Sequence, residues 1–241
     1  IITLIVPQPG VSALAAALDR VVEILIGGAI GVLVALTVLP ERAHRSLVKR
    51  IAALLRQLSG MLAIDMKGLH EPRDDAALSE LIETSRDLIK TSVTLAEESS
   101  GERAARLTGG TAPDALVRTA RRVRVNLIMI ARATREPWPP EADRQLGAIF
   151  DDLGRSIAAH LSAQADALEA GRAIAPADGW EESFERFEEG MAAFRANKEN
   201  DALPTELMSR IFSLAFAVRQ VKADLADLDD RIGEFAGTPR G

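Results

Sequence analysis

A chain of 241 residues, 47% hydrophobic and 27% charged, is long enough for one large domain or two smaller ones. It has no cysteine, which excludes disulfide frameworks, zinc fingers and cysteine nucleophiles. Its net charge of −6 argues against a general nucleic-acid surface, which needs a basic balance. The averages hide an uneven layout. Residues 1–40 carry only Asp19, Arg20 and Glu23 as charges, so the other 201 residues hold 28 of the 29 basic and 33 of the 35 acidic side chains, a net of −5.

Ile1–Val6 is an apolar run with neither the basic n-region nor the cleavage site of a signal peptide, and it reads as the tail of an earlier membrane helix. Pro7-Gln8-Pro9-Gly10 marks a tight loop, and Ser12 is placed to cap the helix that follows. That helix is predicted over 13–39, about 40 Å at 1.5 Å per residue. Within it, Val21–Leu39 reads VVEILIGGAIGVLVALTVL, close to the roughly 20 apolar residues that cross about 30 Å of hydrocarbon. Arg42, Arg45, Lys49 and Arg50 follow at once, and Lys and Arg concentrate on the cytoplasmic side of membrane helices. The loop is therefore expected outside and the rest of the chain inside the cell.

Arg20, Glu23, Gly27, Gly31 and Ala35 follow steps of three, four, four and four, so they stack along one stripe. Gly27 and Gly31 would let another helix backbone approach closely. Glu23 has two readings, a carboxylate on a substrate or proton pathway, or the ion-pair partner of Arg20 one turn before it. Pro40 should end or kink the helix.

From Glu41 onward the apolar residues fall at helical spacing and no stretch shows the period-two alternation of a strand. Helices are predicted over 41–66, 74–99, 113–135, 141–171, 180–198 and 205–235, with a connector over 101–113 and a packed corner at Trp138 among three prolines. The third carries Arg118, Arg121, Arg122 and Arg124, which can hold anionic ligands or lipid or pair with nearby acidic helices; pairing is the simpler reading. Trp180, Phe184, Phe187, Met191 and Phe194 read as core. The last helix sets Leu207, Ile211, Leu214, Val218, Val221, Leu225, Leu228, Ile232 and Phe235 in an unbroken four-three alternation, the pattern of a bundle or coiled-coil seam. The predicted fold class is all-α: the end of a transmembrane helical hairpin at 1–40, a cytosolic multi-helix bundle at 41–235 with a long heptad-patterned C-terminal helix, and a flexible tail at 236–241.

No chemistry-bearing motif emerges. There is no phosphate-binding loop, dinucleotide fingerprint, nucleophile elbow or His-Glu-x-x-His. His44, His70 and His160 lack ligand spacing and read as surface histidines. Glu181-Glu182 and Asp229-Asp230 read as solvated faces. The expectation is no enzyme, no catalytic residue, no metal and no cofactor.

The stretch DRVVEILIGGAIGVLVALTVLPERAHRSL resembles the fusaric acid resistance and aromatic acid exporter family of bacterial inner-membrane proteins. Arg20, Glu23, Gly27, Gly31, Pro40 and Arg42 fit that family's last spanning helix, and the likeness covers about residues 1–60. It implies a multi-pass inner-membrane efflux permease, of which this is the C-terminal part, exporting aromatic carboxylic acids. Its expected partners are the lipid bilayer, upstream transmembrane helices and a periplasmic adaptor protein. Arg20 would attract a carboxylate and Glu23 would relay protons. The alternative is a membrane-anchored helical scaffold or signalling stalk, a homo-oligomer joined through the 205–235 seam.

Overall fold

The computed structural model describes residues 13–106, 113–174 and 179–237, with side chains described for 18–32, 44–98, 100, 113–174 and 179–236. Ile1–Val6, the Pro7–Gly10 loop, the Ser12 cap, Gly109-Gly110 and the end of the tail lie outside the described residues. The described part is all-helical: α1 (Ala13–Lys67), α2 (Asp75–Arg106), α3 (Pro113–Ala133), a single turn α4 (Pro140–Ala142), a π-helical turn over Asp143–Gly147, α5 (Ala148–Ala170), α6 (Trp180–Ala196), a 3-10 turn over Lys198–Ala202 and α7 (Thr205–Gly237). The chain divides into two compact units, residues 1–43 and 44–241.

One predicted boundary is absent. Instead of ending at Pro40, helix α1 runs through it as 55 continuous residues. A proline removes one backbone donor, and the helix continues around that single gap. α2 likewise continues into the predicted connector, as far as Arg106.

Among the described residues the hydrophobic core runs from Leu47 to Phe235 within 44–241, so this unit carries its own core. Local signals set its helix ends. Asp74 Oδ1 accepts from the Ala77 N–H at 3.0 Å and caps α2. Gly171 takes φ 63° after α5, and the Gly171 and Arg172 N–H groups close back on the Leu168 and Ala167 carbonyls, the paired bonds of a Schellman ending. All nine seam residues of α7 are buried within this chain. α7 runs antiparallel to α3, since Thr119 bonds Asp227, Asn126 bonds Asp224, and Arg210 reaches the Ala133 carbonyl.

Aromatic rings thread the core edge to face. Trp138 meets Phe150 at 5.2 Å, Phe150 meets Phe187 at 5.3 Å, and Trp180 meets Phe184 at 5.5 Å. The proline-flanked corner is packed as predicted, and the Trp138 backbone N–H donates to the Leu69 carbonyl at 2.8 Å. Helix α5 comes close to its neighbours because it is small where they are large: a Cβ at Gly154 would lie 2.3 Å from Met66 Cγ. On the first helix of this unit, His44 stacks on Phe235 of the last at 4.8 Å and 5° between planes.

Candidate functional site

In the unit 1–43, Leu18–Val32 is exposed on every side of the helix. Leu18, Val21, Val22, Ile24, Leu25, Ile26, Ile30 and Val32 each leave more than half of their surface uncovered. Added Cβ atoms at Gly27 and Gly31 would meet nothing within 4 Å. Arg20 Nη1 lies 2.9 Å from Glu23 Oε2, and both side chains are about two-thirds exposed. The structure therefore pairs the two predicted pathway residues with each other, along an open glycine stripe. Ala35 and Pro40 lie beyond the described side chains.

Among the described residues no helix is long and apolar enough to cross a membrane. Of the apolar run, the described side chains reach only from Val21 to Val32, about 18 Å of helix, against roughly 30 Å of hydrocarbon. Residues 33–39, which complete the predicted span, lie outside them.

In the unit 44–241, polar chemistry gathers where α1 ends. Asp65 is fully buried and accepts from Arg73 Nη1 at 3.1 Å, while Arg73 also grips Asp75 at 2.8 Å, the Ala131 carbonyl and Thr134. Burial pushes the Asp65 carboxyl up to about 7, against the opposing pull of Arg73 and Thr134. Gly68 makes this turn possible, since a Cβ there would lie 2.7 Å from the Thr134 carbonyl oxygen.

Two residues on, His70 is held between carboxylates, with Nδ1 2.6 Å from Asp143 Oδ1 and Nε2 2.9 Å from Asp151 Oδ1. Burial lowers its pKa, but bonding and attraction to Asp151 and Asp143 raise it further, so the net shift is upward. With a carboxylate on each nitrogen, the imidazolium is the form that satisfies both. Asp143 opens the π-helical turn and Gly147 closes it. A Cβ on Gly147 would come within 2.4 Å of Asp143 Oδ1 and 3.0 Å of His70 Cε1. The bulge and its glycine therefore seat the clamp.

A third cluster corrects the reading of His160 as a surface residue. It is 3% exposed, stacks on Trp180 at 4.7 Å, and sets Nε2 2.9 Å from Asp229 Oδ2. Gln164 also bonds Asp229, at 2.7 Å. Asp229 is thus a shared acceptor for two buried donors rather than part of a solvated face. A shallow cavity of about 440 Å³ opens beside His160 and Trp180, flanked by Arg155, Asp152 and Arg186. Its arginines already face Asp152, Arg186 at 2.6 Å and Arg155 at 3.8 Å.

The arginines of α3 divide. Arg122 bonds Asp224 and Asp227, and Arg124 bonds Ser85 and the Ile82 carbonyl. Arg118 and Arg121 are exposed and have no such partner among the described residues. No group of three or more His, Asp or Glu side chains among the described residues is arranged to hold a metal ion. The polar clusters pair acids with bases and tie helices of this unit together.

No protein-family model matches this chain, and no curated protein matches it either. The two clusters at Asp65 and His70 were not legible beforehand. Their one sequence signal is the density of polar residues around the Lys67–Arg73 break and the Pro139-Pro140 step.

Proposed function

We propose that this chain is the C-terminal part of a bacterial inner-membrane efflux permease that exports aromatic carboxylic acids or related toxic small molecules. The observation that carries this is the exposed apolar helix. Leaving eight large apolar side chains mostly uncovered in water costs on the order of 10 kcal/mol, so this surface calls for lipid or other spanning helices. In this reading Val21–Leu39 as a whole spans the inner membrane, entering from the outside at Arg20 and delivering the chain to the cytoplasm. The open face at Gly27 and Gly31 receives an upstream helix of the same permease.

The resemblance of residues 1–60 to the aromatic acid exporters supplies the substrate class. The burial of the α7 seam inside its own bundle weighs against the scaffold alternative, which needs that seam free for self-association. The bundle then acts as a rigid cytoplasmic support.

The test is accumulation of a panel of aromatic carboxylic acids in cells with and without the full-length gene. Lower accumulation and higher tolerance in cells carrying the gene are expected. Equal accumulation of every acid overturns the proposal. In the pathway reading, Glu23→Gln slows export and changes its pH profile; if both are unchanged, Glu23 serves only as the partner of Arg20.

A further inference from the structure

Exposed large hydrophobic side chains are rare on the unit 44–241. Among its described residues they are Val125 and Met129 on α3 and Phe216 on α7. Val125 and Met129 share one face of α3, four residues apart, and Phe216 lies on the helix packed against it. The antiparallel pairing of α3 and α7 is anchored by Asn126 on Asp224 at one end and Arg210 on the Ala133 carbonyl at the other, and Met129 and Phe216 lie between these anchors. On α7 the flanking exposed residues are Ser213 and Gln220, both uncharged.

On α3 the surroundings are cationic. Arg118, Arg121, Val125, Met129 and Arg132 follow steps of three, four, four and three, which makes one exposed stripe with an apolar centre and basic ends. None of the three arginines has an acidic partner among the described residues. Acids on α2, α3 and α7 have other partners: Asp224 and Asp227 hold Arg122, Glu83 holds Arg86, and Asp114 accepts from Ser100. Arg86 and Arg121 also lie near enough to Arg124 to add to the lowering of its pKa by burial.

We infer that this α3–α7 face docks on the surface of a lipid bilayer that carries anionic phospholipid. Its arginines meet the phosphates, while Val125, Met129 and Phe216 enter the headgroup boundary. Charge decides against a second copy of the chain, because a symmetric pairing would set three exposed arginines against three more. The proposed function supplies a reason for the lipid to be near. The binding itself does not depend on that reading, since the face lies wholly in the unit that holds its own core.

Residues 44–241 are produced alone, with helical circular dichroism and cooperative unfolding as the control for folding. They are co-sedimented with vesicles of phosphatidylcholine, with or without phosphatidylglycerol. Binding is expected only to the anionic vesicles and should weaken with salt. Each arginine near the surface is worth about a five-fold change in affinity, so Arg118→Gln, Arg121→Gln and Arg132→Gln together should weaken binding on the order of 100-fold. Phe216→Ser should weaken it while keeping the salt dependence. Equal binding to both vesicles, no binding to either, or a triple variant that binds like the parent overturns the inference. Capture of polyglutamate without binding to anionic vesicles also overturns it, in favour of an acidic polypeptide partner. Because the apolar helix is absent from this piece, a negative result leaves the export experiment unaffected, and the reverse holds too.

Discussion

Arg73 and Asp65 form an ion pair at 3.1 Å with 7% of one side chain and none of the other exposed. Such a pair adds little net stability, since desolvation offsets its attraction, but losing one partner strands the other. Arg73→Met should therefore cost about 3–5 kcal/mol in urea denaturation of residues 44–241. The double variant with Asp65→Asn should recover most of that loss. A double variant as unstable as Arg73→Met would mean that the arginine matters for its grip on the Ala131 carbonyl and Thr134 instead.

The two titrating clamps at the end of α1 act in the same direction. His70 has a folded pKa above its ordinary value of 6.5, so its contribution is fully present below that pH and is lost as pH rises through the folded value. Asp65, pushed up to about 7, contributes fully below its ordinary value of 3.8 and loses that contribution as pH rises through about 7. Melting temperature should thus fall as pH rises from about 5, through Asp65 up to about 7 and through His70 from 6.5 upward. His70→Asn should flatten part of the slope and Asp65→Asn another part; a parent protein with constant Tm over this window would contradict both assignments.

Gly147→Ala places a methyl 2.4 Å from Asp143 Oδ1, an atom already fixed against His70. The carboxylate has to swing away, at a cost of about 1–3 kcal/mol typical of overpacking. Proton NMR titration of His70 in this variant should show its pKa moving down towards the ordinary value, because one of its two anionic partners has withdrawn. An unchanged titration would mean that Asp151 alone sustains the shift.

Leu214 and Phe216 are two residues apart on α7 and face opposite ways, one fully buried and the other 53% exposed. Leu214→Ala should cost about 2–5 kcal/mol, while Phe216→Ser should stay within about 0.5 kcal/mol in thermal unfolding. A large loss at Phe216 would place it in the core and remove the apolar centre of the α3–α7 face.

What could be read from the chain followed from how local each cause was. The α7 seam and the Trp180–Phe194 repeat were legible because burial on a helix prints a periodic signal into neighbouring residues. His160 was not, because its partner Asp229 is 69 residues away and nothing near it in sequence marks that contact. Asp65 was hidden similarly, since Arg73 and Thr134 come from two other segments. The Pro40 boundary failed for a different reason: proline removes a single hydrogen bond, and a ladder of 55 residues absorbs it. The arginine cluster of α3 was half legible. Its spacing was plain, but which members find acids depends on where α7 and α2 lie.

His44 stacked on Phe235 means that the bundle's first helix is covered by its last. A ribosome adding about 5–20 residues per second needs roughly 10–40 s between making the two. Throughout that interval the apolar side of α1 around Leu47, Ile51 and Leu54, buried in the finished protein, lacks the last helix of its fold. Folding of this unit should therefore complete only after α7 has been made, and a nascent chain stalled before α7 should be the form that chaperones hold.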